Sequence, residues 1–224
     1  MRLVLASASP RRAELLRAAG FTFETCAVDV DEGARAGEAA ASYVRRLAAE
    51  KSALAAAAVQ GPAKAGRHVQ NGPAKAGHYV PEDVREDLVV LGADTAVVVD
   101  GEILGKPRDN SDAAAMLRRL SGRRHDVMTG VSVRTCAHEV GRVETTAVYL
   151  APLRPDEIAW YVASGEGRDK AGAYAIQGLA SRFVSRIEGS YSNVVGLPLA
   201  CVYELLKELG VDYSGWRPGS RKSL

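Results

Sequence analysis

The sequence predicts one α/β domain, and three observations carry that prediction. A short apolar run, Leu3-Val4-Leu5-Ala6, leads straight into a helix start at Ser7-Ala8-Ser9-Pro10, the pattern of a fully covered strand followed by a helix. A second apolar run, Leu88 to Gly92, repeats the buried-strand signal. Strand-like and helix-like periods then alternate along the 224 residues, a length that suits one domain or two closely packed lobes.

The elements can be justified in order. Pro10 to Ala19 reads as a helix with Leu15, Leu16 and Ala19 on one face and Gly20 as its stop. Phe21 to Thr25 alternates as a strand does, and Val28 to Glu32 is an acidic loop. A long helix is expected from Glu38 to Val59, with Tyr43, Val44, Leu47, Lys51 and Leu54 at helical spacing. Lys51 falls on that apolar stripe; a lysine that snorkels and one aimed at an anion look the same in sequence. Gly-Pro-Ala-Lys-Ala-Gly occurs at 61–66 and again at 72–77. Two copies are too few for a solenoid, and so little apolar surface predicts a flexible insertion over 60–86.

The strand from Leu88 is expected to end at Asp94-Thr95. Ala96–Val99 and Glu102–Leu104 form a hairpin with Asp100-Gly101 as its turn. A helix over Ser111–Leu120, strands over Val127–Arg134 and Arg142–Leu150, and a helix over Pro155–Ala163 follow. Gly165 to Gly178 is glycine-rich and polar, Phe183–Ile187 is a short strand, and Pro198–Leu209 is a final helix stopped by Gly210. The basic tail at 217–224 is expected to fray.

Composition excludes several classes. A net charge of +2 is too balanced for nucleic acid to be the main partner. No stretch approaches the roughly 18 apolar residues of a membrane span, and no signal peptide is expected. The three cysteines are far apart and form no Cys-x-x-Cys pair, which favours a reducing, cytoplasmic compartment and argues against zinc. No P-loop, Gly-x-Ser-x-Gly or His-Glu-x-x-His motif is present.

Three clusters carry candidate chemistry. In the first, Ser7 and Ser9 precede Pro10-Arg11-Arg12. Cations are disfavoured at a helix N-terminus unless an anion is present, so hydroxyls, free N–H groups and two guanidiniums there suit a phosphate. The alternative is a capped helix with two solvated arginines. In the second, Asp94 offers a carboxylate for Mg²⁺ or for a proton from water, beside the Thr95 hydroxyl; a turn aspartate is the alternative. Lys106 lies between Gly105 and Pro107, which should hold it in place. The third cluster holds Asp169-Lys170 and Ile176-Gln177-Gly178. The Gln177 amide has the donors and acceptor to read a base edge. Ser190-Tyr191-Ser192-Asn193 is a candidate for the same wall. Arg11, Arg12, Lys51, Lys106 and Lys170 converging in a nearly neutral protein would suit a polyphosphate with a metal.

With these clusters together the chain resembles the Maf family of nucleoside triphosphate pyrophosphatases. Ser7-Ala8-Ser9-Pro10-Arg11-Arg12, Asp31-Glu32, Glu50-Lys51, Gly92-Ala93-Asp94-Thr95, Gly105-Lys106-Pro107, Leu120-Ser121-Gly122, Asp169 to Tyr174, Ile176-Gln177-Gly178 and Gly189 to Leu199 match in order over nearly the whole chain. The insertion at 60–86 departs from the family pattern. The resemblance implies an α/β fold like that of inosine triphosphatases, with a bent mixed sheet, flanking helices and two lobes around a deep cleft. It implies hydrolysis of a nucleoside triphosphate to the monophosphate and pyrophosphate. Asp94 is then the proton acceptor, and Ser7, Arg11, Arg12, Lys51, Thr95, Lys106, Lys170 and Gln177 contact substrate. Glu32 and Asp94 become metal ligands, with Mg²⁺ or Mn²⁺ as cofactor. Arg12, Thr95 and Gln177 fall at positions that separate substrate branches, and here they look like the dTTP/UTP branch. The extra aromatic residue typical of the 7-methyl-GTP branch, between that proline and the arginines, is absent. A homodimer is a family expectation. Action on 7-methyl-GTP or another modified nucleotide, and nucleotide-binding regulation of septum formation, are the alternatives.

Overall fold

The computed structural model describes residues 1–60 and 88–211. The expected insertion at 60–86, save Gln60, and the tail at 217–224 lie outside the described residues. In chain order the elements are β1 (Arg2–Ala6), α1 (Pro10–Ala18), β2 (Glu24–Thr25), α2 (Ala40–Gln60), β3 (Leu88–Val99), β4 (Glu102–Leu104), α3 (Asn110–Leu120), β5 (Arg124–Arg134), β6 (Glu139–Leu150), α4 (Pro155–Ser164), β7 (Val184–Glu188), α5 (Tyr191–Val195) and α6 (Leu199–Glu208). Two 3₁₀ turns are present as well, Ala171–Ala173 inside the glycine-rich segment 165–178 and Leu179–Phe183 just after it.

A seven-stranded sheet runs β2-β1-β3-β5-β6-β7, with β4 on the free part of β3. β1 is parallel to β2 and β3, and every other pairing is antiparallel. The sheet is therefore mixed, with helices packed on it, as expected.

One correction decides where the site lies. The strand expected to end at Asp94 continues unbroken to Val99 and turns at Asp100 and Gly101, both with positive φ. Asp94 is thus in the middle of a strand rather than at its end. The opening arises from the neighbours instead. β1 pairs with β3 only as far as Gly92, and β4 pairs with it only from Val97. Neither covers residues 93–96 on that edge, while β5 pairs with the other edge throughout. Local propensity favours the long strand, since Val97, Val98 and Val99 are β-branched.

Helix α2 lies unusually close to this strand. A Cβ on Gly92 would sit 2.2 Å from the Ala48 carbonyl oxygen, and one on Gly130, which pairs with Asp94, would sit 2.1 Å from that of Val44. Two hydrophobic cores flank the opening. One joins β1, α1, the first half of β3 and α6 through residues such as Leu5, Leu16, Leu91 and Leu205. The other joins the end of β3 to α3, β6 and α4 through Val97, Leu117, Val148 and Tyr161. These are the two lobes, and they share the long strands.

Candidate active site

A cleft of about 410 Å³ opens between the lobes, within the range that holds small-molecule ligands. Ser7, Arg11, Arg12, Glu32, Lys51, Asp94, Thr95, Lys106, Lys170 and Gln177 all line it. These ten candidate residues are therefore brought to one place.

Arg12, near the start of α1, reaches across the cleft floor. Its Nε donates to the Gly196 carbonyl at 2.8 Å, one Nη to Thr95 Oγ1 at 3.0 Å and the other to Ser7 Oγ at 3.3 Å. All three acceptors are uncharged oxygens. Burial pulls the guanidinium below its usual pKa and Arg11 adds to that, while the Asp94 and Glu32 charges oppose it; an arginine nevertheless stays charged in a protein. Three of five N–H groups are used, so two remain for a ligand. Ser9 occupies the N-cap position but its side chain makes no capping bond. Ser7 Oγ instead accepts the Ser9 N–H at 3.1 Å, leaving first-turn N–H groups for an anion.

On the other face of β3, Lys51 of α2 is buried and bridges two carboxylates. Its Nζ lies 2.5 Å from Asp94 Oδ1 and 2.9 Å from Glu32 Oε1. The close seat of α2 on glycines makes that reach possible. Lys106 stands 3.5 Å from Glu32 Oε2 and is largely exposed. The expectation that it is held in place is therefore corrected: only its backbone is fixed, where the Gly105 carbonyl accepts the Gly172 N–H at 3.1 Å. Burial by itself raises the Glu32 pKa, but the Lys51 hydrogen bond and the charges of Lys51 and Lys106 outweigh it and hold the carboxyl below its usual value. Glu32 is placed by Tyr43, whose hydroxyl donates to the Glu32 carbonyl at 2.9 Å. Burial, then the Asp94 and Glu32 charges, push the Tyr43 hydroxyl up to about 12.

Glu32 and Asp94 converge on one ammonium, and no third His, Cys, Asp or Glu forms a metal-holding group with them among the described residues. Two hard oxygen donors beside a phosphate-sized space still fit Mg²⁺, which takes one or two carboxylates and completes its shell with substrate phosphates and water.

The far wall is the segment from Asp169 to Gln177. Lys170 pairs with Asp169. Tyr174 is buried, and its hydroxyl lies 2.7 Å from His125 Nε2. Burial, with the Arg124 charge behind it, lowers the His125 pKa to about 4.

Ser190 to Asn193 does not line this wall. Asn193 is buried, and its Nδ2 donates to the Val127 carbonyl at 3.0 Å and to Thr146 Oγ1 at 2.9 Å. The segment locks α5 to β5 and β6, so its polarity is structural. Reading the sequence missed Tyr43 and the Gly196 carbonyl as cleft groups. Tyr43 sits on the apolar stripe of α2 beside Lys51, a signal that was present, whereas a backbone carbonyl leaves none.

No helix among the described residues is long and apolar enough to cross a membrane. The chain matches the family model described as Maf-like protein over residues 2–209. A dTTP/UTP pyrophosphatase of Anaeromyxobacter sp. (strain Fw109-5) is 50% identical, over 97% of this chain and 94% of its own. Proteins of the same name from Hahella chejuensis and Geobacter sulfurreducens are 49% and 46% identical, over 94% and 93% of this chain and 93% and 97% of their own. The structure of the Staphylococcus aureus Ham1 protein aligns with 15% identity and a TM-score of 0.45, over 93% of this chain and 97% of that one.

Proposed function

The chain belongs to the Maf family, and from that premise we propose that it is a nucleoside triphosphate pyrophosphatase acting on dTTP and UTP. One observation carries the reading. The uncovered middle of β3 puts a carboxylate bound by a lysine on one face, and an arginine bound only by neutral oxygens on the other, at a single cleft. The relatives named above carry that activity in their names.

Arg12, Arg11, Lys106 and the N–H groups at the start of α1 hold the triphosphate. Asp94 accepts a proton from a water that attacks the α-phosphorus. The new P–O bond forms as the bond from the α-phosphorus to the bridging oxygen breaks, and pyrophosphate leaves with that electron pair. Lys51 holds Glu32 and Asp94 close together and, with Lys106, lowers the Glu32 pKa. Glu32 and Asp94 are the residues that would hold Mg²⁺ or Mn²⁺; bound there, the ion supplies charge neutralisation of the phosphates. Gln177 on the far wall meets the base, and Arg12 and Thr95 fix where the phosphate end sits relative to it.

The test is pyrophosphate release with Mg²⁺ from dTTP, UTP, CTP, 7-methyl-GTP and dITP. The reading predicts release chiefly from dTTP and UTP. Preference for 7-methyl-GTP or dITP would move the substrate and keep the chemistry; no release from any of them would overturn the reading.

A further inference from the structure

Gln177 is exposed on the cleft wall, and its side chain makes no hydrogen bond to a described residue. An amide so placed discriminates between bases only if its backbone cannot drift, because a small misplacement costs much of its selectivity. The backbone on both sides of Gln177 is gripped by two side chains that do not line the cleft.

Tyr161 of α4 is 1% exposed. Its hydroxyl accepts the Ala175 N–H at 3.2 Å; burial first, and the nearby Glu166 carboxylate second, raise its pKa. The same carboxylate accepts the Leu179 N–H at 2.8 Å on Oε1 and the Ala180 N–H at 3.2 Å on Oε2. Thus Glu166 caps the second 3₁₀ turn, while Tyr161 holds residue 175. Residues 176–178 form the span between the two grips. Gly178 has φ +104°, and a Cβ there would lie 2.2 Å from Glu166 Oε1, so the carboxylate is fitted against the backbone next to Gln177. The two grips hold one backbone geometry, since losing either leaves a backbone N–H without its partner.

We infer that Tyr161 and Glu166 are positioning residues that set nucleobase selection by fixing the backbone on either side of Gln177. This rests on the cleft being a nucleoside triphosphate site. The pair acts on the base end alone: among its recorded contacts none is to Ser7, Arg12, Lys51 or Asp94.

The test compares Glu166→Gln, Tyr161→Phe, Gln177→Ala and Glu166→Gln combined with Gln177→Ala, each on the full chain. The readout is the ratio of kcat/KM between the best and next-best triphosphate of the panel. Glu166→Gln keeps the volume but sets an amide donor against a backbone N–H, and Tyr161→Phe keeps the ring but loses the hydroxyl that accepts the Ala175 N–H. Each is expected to lower the ratio about tenfold, with kcat on the best substrate changed less than about threefold. In the Gln177→Ala background, Glu166→Gln is expected to lower it no further, because both act through one side chain. Wild-type ratios in both Glu166→Gln and Tyr161→Phe, an undiminished further fall in the combined variant, or a wild-type ratio in Gln177→Ala would each overturn the inference. A wild type that prefers a triphosphate other than dTTP or UTP overturns the substrate reading alone, since the ratio still tests the pair; a wild type that hydrolyses none overturns both.

Discussion

Asp94 and Thr95 are neighbours on β3, and successive strand residues face opposite sides of a sheet. On the Asp94 side a buried cation, Lys51, is matched by two carboxylates, and with Lys106 the group of four is formally neutral. On the Thr95 side a half-buried cation, Arg12, is bound only by two hydroxyls and a carbonyl. The first arrangement satisfies itself, charge against charge. The second uses only three of its cation's five N–H groups and leaves the charge unmatched. A buried charge without a counter-ion is costly, and an arriving phosphate removes that cost with charge-assisted bonds. One strand thus separates a group suited to proton transfer from a group suited to holding an anion.

The two sides also depend on different features of the fold, which makes them separable. The Lys51 side needs α2 seated close to the sheet. Gly130→Ala places a Cβ 2.1 Å from a backbone oxygen of α2, and overpacking of this kind costs about 1–3 kcal/mol or more. The expected outcome is a clear fall in the denaturant midpoint together with loss of pyrophosphate release, because Lys51 no longer reaches Asp94. A Gly130→Ala variant with normal stability and turnover would contradict the account of how Lys51 is placed. The Arg12 side needs the fork of a guanidinium. Arg12→Lys keeps the charge but cannot bond Ser7, Thr95 and Gly196 together. The expected outcome is a fall of about tenfold in kcat/KM, one lost charge-assisted bond's worth, expressed mainly in KM and with unchanged stability. Unchanged kinetics in Arg12→Lys would show that charge alone matters there.

Much of this was legible in the sequence. The strand-to-helix start at Leu3–Arg12 and the Asp100-Gly101 turn are local signals, and both elements form as read. Asp94 was legible as a residue but not as a position. Its strand runs on because β4 folds back onto it, a pairing that sequence separation does not reveal. Ser190 to Asn193 was misread because a polar run looks the same whether it faces ligand or is buried against strand carbonyls; only the contacts of Asn193 distinguish them. Lys106 was expected to be fixed by its glycine and proline neighbours, but those residues restrain backbone and not a long, exposed side chain. The seat of α2 on Gly92 and Gly130 was not legible at all, since a strand glycine signals a close approach without naming what approaches.

The most direct test of the division between the two sides is Asp94→Asn beside the wild type, with pyrophosphate release and dTTP binding measured on the same samples in Mg²⁺. Loss of a positioned proton acceptor is expected to lower kcat by about 10²–10⁴-fold, while dTTP still binds through Arg12 and the start of α1 and the circular dichroism spectrum is unchanged. An Asp94→Asn variant that stays folded and turns over at the wild-type rate would contradict the assignment of the reacting carboxylate to that face of β3.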